Sequence, residues 1–331
     1  MKSSKRLYIS LDSPAEVLNM NNSTRNLKMK KLLIATTALV ATAGMASADV
    51  TVSGHAAAGY HSGLDAKGST TASTVDTGIY SNVGVDFTFS GATDNGLTFG
   101  ATMNIDAGTE IDSGNFEFDG ADSATPGLGS VTVSGAFGTL TFDNGGIDNL
   151  YNSDHNSHDV KYAGTVNGIA IAIAADADDS VAGTAGTAAS ADMSASASYT
   201  AGSLTTTVLA SNHAADGIAT NMAISYVVND MLTVGASNDK EALDGSKSVT
   251  KINATVISNG LTVALSSDNS AAGGDWDLDL AYTVSGVALA WGTDETESWA
   301  ATASKSLGGG ATASAGLNWE DSMYAGISFA F

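Results

Sequence analysis

Apolar and polar side chains alternate along nearly the whole chain after Ala48. In residues 79–90 the odd positions are mostly apolar and the even positions mostly polar or small. The same alternation recurs in residues 97–106, 131–134, 139–143, 218–228, 232–237, 248–258, 261–266 and 287–292. Successive side chains of a β-strand point to opposite faces of a sheet, so this pattern indicates strands whose two faces meet different surroundings. Because no stretch after Ala48 has a helical period, the sequence predicts an all-β protein.

Short turns rich in Gly, Asn or Asp separate the alternating runs. They lie at residues 91–96, 135–138, 166–168, 201–203, 229–230, 259–260, 285–286 and 307–310. Each turn joins two runs as a hairpin. Longer polar stretches lie between the hairpins, at residues 61–77, 107–127, 143–158, 176–191 and 239–247. This alternation of short turns and longer connections predicts an antiparallel up-and-down meander. The eight turns give 16 strands, and a first run at residues 50–60 and a last run at residues 322–331 bring the predicted number to 18.

The segment DWDLDLAYTV, residues 275–284, shows what the two faces meet. It places Asp275, Asp277 and Asp279 on one face, and bulky apolar side chains, beginning with Trp276 and Leu278, on the other. A water-soluble sandwich with a packed core is the alternative that alternation alone leaves open. If the apolar face instead meets lipid, the reverse register would place three carboxylates in hydrocarbon, at a cost of roughly 2 kcal/mol or more each. The register would therefore be fixed.

The last residues of the sequence favour the membrane interpretation. An apolar stripe runs to the final residue, through Met323, Ile327, Phe329 and Phe331. Such a stripe is expected of a strand that closes a lipid-facing wall. Within a bilayer every backbone N–H and C=O group must be paired inside the protein, so sheets cross membranes only as closed barrels. We therefore predict a closed transmembrane β-barrel with short periplasmic turns and longer extracellular loops.

The N-terminal region has the features of an export signal. Residues 29–48 contain a basic start, a short apolar stretch and a small-residue cleavage site, so the mature chain is expected to begin at Asp49. Residues 1–28 are polar and unpatterned, and we interpret them as an over-called start or a disposable extension. Residues 49–331 then form the barrel domain. The absence of cysteine fits an exported protein that has no disulfide framework.

Removal of the first 48 residues makes the charge strongly negative. Seven of the 13 basic residues precede Asp49, which leaves six lysines, no arginine, 33 acidic residues and a formal charge of −27. A polyanion of this kind repels nucleic acid and anionic lipid surfaces and attracts cations. Nucleic acid is therefore excluded as a partner.

Several short motifs resemble one family. DVTVSGHAAAGY at 49–60, SGATDNGLTFGA at 90–101, VTVSGAFGTLTF at 131–142, SLGGGATASAG at 306–316 and YAGISFAF at 324–331 are similar to the trimeric general-diffusion porins of alphaproteobacterial outer membranes. The resemblance implies a barrel of 16 strands, one hairpin fewer than the pattern predicts. It also implies outer-membrane lipid and the barrel assembly machinery as partners, a homotrimer, and passive diffusion of ions and small hydrophilic solutes.

The resemblance further implies a loop that folds into the barrel and narrows it. This constriction loop falls at about residues 143–158 and carries Asp143, Asp148, Asp154 and, nearby, Asp159. Strand parity predicts these lumen-wall residues: Asp86, Asn104, Asp106, Lys161, Lys251, Asp275, Asp277 and Asp279. Such porins usually set a basic cluster against the acidic loop, and this chain has no arginine to supply one after Asp49. We therefore expect a net negative wall that favours cations.

Other chemistry has weaker support in the sequence. His155 and His158 lie close together in an Asp-rich loop, but no set of three or four ordered metal ligands is evident. Asp176, Asp178 and Asp179 do not have the spacing of a dedicated calcium loop. We therefore predict that the protein has no dedicated metal site and no cofactor. Weak binding of Ca²⁺ by the loops is left open. No nucleophile or phosphate-loop motif points to an enzyme. The four tryptophans, Trp276, Trp291, Trp299 and Trp319, are better explained by interfacial girdles than by a sugar-stacking track.

Two alternative functions remain at the level of sequence. A secreted Gly/Ala/Thr-rich β-solenoid adhesin would also be acidic and free of cysteine, but it should show a fixed repeat length, and the hairpin intervals here vary. A solute-specific outer-membrane channel differs from a general pore only in its selectivity, and saturable conductance blocked by one solute would identify it.

Overall fold

The computed structural model describes residues 47–67, 74–153, 155, 157–177, 192–213, 217–241, 247–270 and 274–331. These residues form 19 β-strands. The first ten are β1 (Ser47–Ser62), β2 (Asp65–Ala66), β3 (Gly78–Ala92), β4 (Thr98–Asp112), β5 (Glu117–Gly135), β6 (Gly138–Ile147), β7 (His158–Val166), β8 (Ile169–Ala175), β9 (Met193–Ala201) and β10 (Leu204–His213). The others are β11 (Gly217–Asn229), β12 (Leu232–Lys240), β13 (Val249–Ser258), β14 (Leu261–Asp268), β15 (Asp275–Val284), β16 (Val287–Asp294), β17 (Trp299–Gly308), β18 (Ala311–Asn318) and β19 (Met323–Ala330). Within the described ranges, no helix has the length and apolar character needed to cross a membrane.

Eighteen of these strands form a closed antiparallel barrel. Each pairs with its neighbours along the chain, and β1 pairs with both β3 and β19. The β1–β19 register runs from His55↔Ala330 to Ser62↔Met323. Beyond it, Gly54 and Phe331 exchange two backbone hydrogen bonds, of 2.6 and 2.9 Å. The predicted closed barrel is confirmed, with the 18 strands that the alternation predicts. The short strand β2 lies outside this ring and pairs in parallel with β5.

The eight predicted short turns all join consecutive barrel strands at one end of the barrel. At the opposite end not every connection is long, since residues 295–298 and 319–322 are four-residue links. The prediction of a long loop at residues 107–127 is wrong. Strand β4 continues to Asp112 and β5 begins at Glu117. This segment is therefore the half of the β4–β5 hairpin that is remote from the short turns, which we call the upper half.

The upper half of the β4–β5 hairpin leaves the wall of the barrel. Strand β5 pairs with β6 from Val131 to Gly135, whereas its pairing with β4 continues up to Glu117. The β4–β5 register shifts three times, and Pro126, which has no N–H to donate, lies in this half of β5. Bulges bend a strand pair and increase its twist. Because it is bulged and lacks a β6 partner, the upper hairpin can turn away from the wall.

The two faces of the barrel have opposite character, as strand β15 shows. Trp276 pairs with Ser267 of β14, and Leu278 with Leu265, on the outer face, where Trp276 remains 39% exposed. Asp277 pairs with Ser266 on the inner face. Phe329 on β19 is also outward and 44% exposed. The apolar side chains thus form an outer surface and are not packed into a dry core.

The seam between β1 and β19 depends on two glycines under a tyrosine ring. Gly59 and Gly326 are paired across the seam and point to the lumen. Tyr80 of β3 lies over both and is only 3% exposed. A Cβ atom at Gly59 would lie 2.3 Å from the carbonyl oxygen of Ala325 and 2.6 Å from the Tyr80 ring. The first of these contacts involves backbone, so the seam itself would have to shift.

Replacement of Gly59 by valine is therefore expected to destabilise the barrel by about 1–3 kcal/mol, the usual cost of overpacking. The measurement is the urea midpoint of the refolded barrel in detergent micelles, followed by circular dichroism. Gly120→Val is the matched control, because a Cβ atom at Gly120 meets nothing within 4 Å and should change stability little. Equal midpoints for the two variants would contradict the seam packing described here.

Candidate functional site

The inner face of β15 carries a line of carboxylates. Asp277 accepts a hydrogen bond of 2.7 Å from Ser266 Oγ, and Lys251 Nζ lies 3.5 Å from the same carboxylate oxygen. Asp275 accepts a hydrogen bond from Ser270. Asp279, two residues further along, faces the open lumen and lines a cavity of 510 Å³. Within this line, Lys251 offsets part of the charge of Asp277.

A second polar group lies on β1, β3 and β4. His55 is 3.6 Å from Asp86 through Nδ1 and 3.4 Å from Asp106 through Nε2. Asn104 donates a hydrogen bond of 2.5 Å to the other oxygen of Asp106. Gly84 provides the space for this group, because a Cβ atom there would lie 2.0 Å from Asp106 Oδ1. Asp86, Asn104 and Asp106 are thus placed together on the wall.

Sequence reasoning missed His55. The alternation of β1 places His55 on the same face as Ser53 and Ala57, and the signal that could have found it was parity in the first run. The interaction itself depends on pairing with β3 and, through β3, on β4. Neither the His55–Asp86 contact nor the His55–Asp106 contact can be inferred from the sequence of one strand alone.

Residues 148–153, which we call the inner loop, follow the inside of the wall from β9 to β12. Asn149 donates a 2.9 Å hydrogen bond to Ser211 Oγ on β10. The backbone N–H of Leu150 donates to Ser194 Oγ on β9, also at 2.9 Å. Tyr151 donates a hydrogen bond to Asp239 on β12. Burial of Tyr151, together with its bond to Asp239, raises the pKa of its hydroxyl far above the usual value. The inner loop is therefore held along the wall by side chains of three strands.

His158, at the start of β7, completes this attachment. Its ring is fully buried, with Nδ1 3.0 Å from Asp176 and Nε2 2.9 Å from Ser194 Oγ. The order Ser194, His158, Asp176 has the connectivity of a hydrolase triad. Ser194, however, is only 1% exposed, and its oxygen already accepts the Leu150 N–H. No substrate reaches this hydroxyl, and the group is a structural anchor of the inner loop.

The acidic residues predicted for the constriction are dispersed. Asp143, on β6, and Asp148 line a cavity of 590 Å³ together with Lys161. Both oxygens of Asp159 accept backbone N–H groups, from Gly145 at 2.8 Å and Ala177 at 2.9 Å. Asp154 lies outside the described residues. The structure therefore brings Asp143, Asp148 and Lys161 to one cavity, while Asp159 holds two backbone segments together.

A second segment inside the barrel was missed by sequence reasoning. Residues 113–116, which we call the hairpin tip, connect β4 to β5 and line the same 510 Å³ cavity as Asp279. The tip lies within residues 107–127, a segment that is rich in Gly, Asp and Ser and has the composition of an outer loop. Only the apolar residues Ile111, Phe116 and Phe118 could have suggested that it packs against something.

The residues considered for metal binding make other contacts. Nε2 of His155 is 3.6 Å from a carboxylate oxygen of Glu241, and His158 is engaged as above. Among the residues that the structure describes, no group of three or more His, Asp or Glu side chains is placed to hold a metal ion. Asp178 and Asp179 lie outside those residues. Weak Ca²⁺ binding by loops stays a prediction.

Comparison with known proteins identifies the family of this barrel. The Gram-negative porin family matches residues 35–326, which is most of the chain. The chain belongs to the Gram-negative porin family. This porin is thus located in the outer membrane and forms a channel, and its family is one of channels rather than enzymes. No curated protein has a significantly similar sequence.

Solved structures similar to this porin include engineered variants of the porin of Rhodopseudomonas blastica. A triple mutant of that protein is 15% identical to this chain, with a TM-score of 0.49. Two other variants are 14% and 16% identical, with the same TM-score. In each case the similarity covers 86% of this chain and 100% of the other.

Removal of the Tyr151 hydroxyl should loosen the inner loop. A hydrogen bond to a charged acceptor is worth about 1.5–3 kcal/mol, and each 1.4 kcal/mol changes an equilibrium tenfold. Tyr151→Phe should therefore accelerate hydrogen exchange of the Leu150 and Tyr151 amides by about tenfold or more, since local opening becomes easier. Tyr199→Phe, at an outward and half-exposed tyrosine, is the control. Unchanged exchange in Tyr151→Phe would show that the bond to Asp239 does not hold the loop.

Proposed function

We propose that this porin is a water-filled, cation-preferring channel for passive diffusion of ions and small hydrophilic solutes. The observation that carries the proposal is the line of Asp275, Asp277 and Asp279 along the inner face of one strand. Carboxylates in a confined aqueous channel raise the local concentration of cations and exclude anions. A concentration gradient supplies the driving force.

The wall elsewhere supports the same preference. Asp86 and Asp106 lie on either side of His55, so two carboxylates line this part of the wall. Asp143 and Asp148 face a further cavity in which Lys161 is the neighbouring cation. Lys251 lies against Asp277. The two lysines therefore moderate the field locally, and the acidic residues outnumber them along the path.

We also propose that the porin assembles as a homotrimer, inserted by the barrel assembly machinery. The resemblance to trimeric general-diffusion porins supports this. The outer face around β14, β15 and β16 is a continuous apolar surface that includes Leu261, Leu280, Tyr282, Leu289 and Trp291. Native mass spectrometry of the detergent-extracted protein should give three times the mass of one chain. A monomer that conducts fully would contradict the trimer and leave the channel proposal intact.

Cation preference is tested by the reversal potential of the channel in a planar bilayer under a salt gradient. The wild-type protein should conduct in steps and reverse at a potential that indicates preference for cations. The triple variant Asp275→Asn, Asp277→Asn, Asp279→Asn should still conduct, but with a cation-to-anion permeability ratio closer to one. Asparagine retains the size of aspartate and removes the charge, so the lumen should keep its shape.

Asp94→Asn is the matched control, because Asp94 lies in the short turn between β3 and β4 and is exposed. This variant should match the wild type. Anion preference in the wild type, or an unchanged ratio in the triple variant, would refute the electrostatic part of the proposal.

A further inference from the structure

The hairpin tip lies against a part of the wall that is remote from its own strands. Ser113, Gly114 and Phe116 line one cavity together with Asp279 of β15, Thr302 of β17 and Ser314 of β18. Tyr324 of β19 donates a long hydrogen bond, 3.5 Å, to the carbonyl oxygen of Ser113. The tip therefore reaches from β4 and β5 into the lumen, to the inner face of β15–β19.

An apolar cluster fixes the tip in this position. Leu64, Phe116 and Tyr324 are 0%, 5% and 4% exposed and form the cluster, with Ile111 and Phe118 packed against it. The rings of Phe116 and Tyr324 have centroids 5.5 Å apart and are tilted by 55°. Burial of large apolar side chains stabilises this arrangement. These residues form the apolar anchor of the hairpin tip.

The backbone of the tip also indicates that the position of Phe116 is specified. Phe116 has φ of 58°, a left-handed conformation that is strained and a genuine outlier for a bulky residue. The preceding residues, Gly114 and Asn115, are the types that adopt this conformation most easily. Asp112 accepts hydrogen bonds from the backbone of Gly114, at 2.9 Å, and Asn115, at 3.3 Å. The turn therefore places the strain on the residue whose side chain is buried in the cluster.

Strand β2 attaches the hairpin a second time. The N–H groups of Asp65 and Lys67 donate to the carbonyl oxygens of Phe116 and Phe118, at 3.3 and 3.0 Å. Lys67 Nζ lies 2.7 Å from Asp119, and this bond and charge raise the pKa of Lys67. Just before β2, the carbonyl oxygen of Gly63 accepts a 2.7 Å hydrogen bond from Ser322 Oγ, beside β19. The hairpin is thus fastened to the seam that closes the barrel.

We propose that the hairpin tip is a second constriction of the channel, and that Asn115 is the residue it presents to passing solutes. Asn115 is exposed, and it shares a cavity of 480 Å³ with Lys251, Asp277 and Asp279. The inner loop narrows the lumen along β9–β12, and the tip narrows it along β15–β19. Solutes then pass between Asn115 and the carboxylates of β15, so the tip selects by size and brings small hydrophilic cations close to the acidic line. This inference rests on the proposed channel function.

The chain contains no cysteine, so one introduced thiol can be labelled without ambiguity. The conductance of unlabelled Asn115→Cys in a planar bilayer is the baseline for the experiment. Addition of a small water-soluble methanethiosulfonate reagent should then cause a partial, stepwise loss of conductance, because the added group enters the passage. A positively charged reagent should also lower the cation-to-anion permeability ratio, and a negatively charged reagent should raise it.

Asn95→Cys is the matched control, because Asn95 is exposed in the short turn between β3 and β4, away from the lumen. Its labelling, verified by mass, should leave conductance and selectivity unchanged. Complete labelling of Asn115→Cys without any change in conductance would overturn the second constriction, as would a thiol that cannot be labelled in the folded channel. Either result would leave the proposed function standing, whereas a wild-type protein that forms no channel would remove the proposed function itself.

Phe116→Ser tests the anchor separately. If the apolar cluster holds the tip, this variant should have a larger or more variable conductance than the wild type, because the tip is released from the wall. Phe137→Ser, at an exposed phenylalanine in the short turn after β5, is the control. A conductance of Phe116→Ser equal to that of the control would count against the tip as a narrowing element.

Discussion

The pairing of β1 with β19 is the interaction on which the rest of the structure depends. In hydrocarbon, an unpaired N–H or C=O group has no water to replace its partner, so a sheet can span a membrane only when its two edge strands meet. Here the first and last strands pair over eight residues and extend the ladder through Gly54 and Phe331. Glycines at the seam, covered by Tyr80, allow the two backbones to approach closely. Closure then gives each strand of the barrel wall one face toward lipid and one toward water.

Much of the barrel could be predicted from the sequence because its signals are local. A strand has a period of two, and a tight turn needs residues that tolerate left-handed backbone, as Asn167, Asn259 and Ser285 do in their turns. These two signals gave the correct number of strands, where the family resemblance implied 16. The same period placed Asp275, Asp277 and Asp279 on the lumenal face. It also placed Trp276 on the outer face.

The contents of the lumen could not be predicted in the same way, because they depend on contacts between distant segments. Residues 107–127 have the composition of an exposed loop, and only pairing with β2 and packing on Tyr324 bring Phe116 inside. Similarly, the constriction assigned to residues 143–158 became an inner loop attached through Ser194 and His158. The sequence predicts Asp159 as a charge near the constriction, but its two carboxylate oxygens accept hydrogen bonds from two backbone N–H groups. Local alternation contains no information on such contacts.

The most direct test of this account is the accessibility profile of β15 in a lipid bilayer. Single cysteines introduced one at a time at residues 275–280 can carry a nitroxide spin label, whose relaxation is enhanced by oxygen in lipid or by a nickel chelate in water. The account predicts a period of two, with Asp275, Asp277 and Asp279 accessible to the chelate and Trp276, Leu278 and Leu280 accessible to oxygen. A profile without this alternation, or with its phase reversed, would contradict a barrel whose carboxylates line a water-filled lumen.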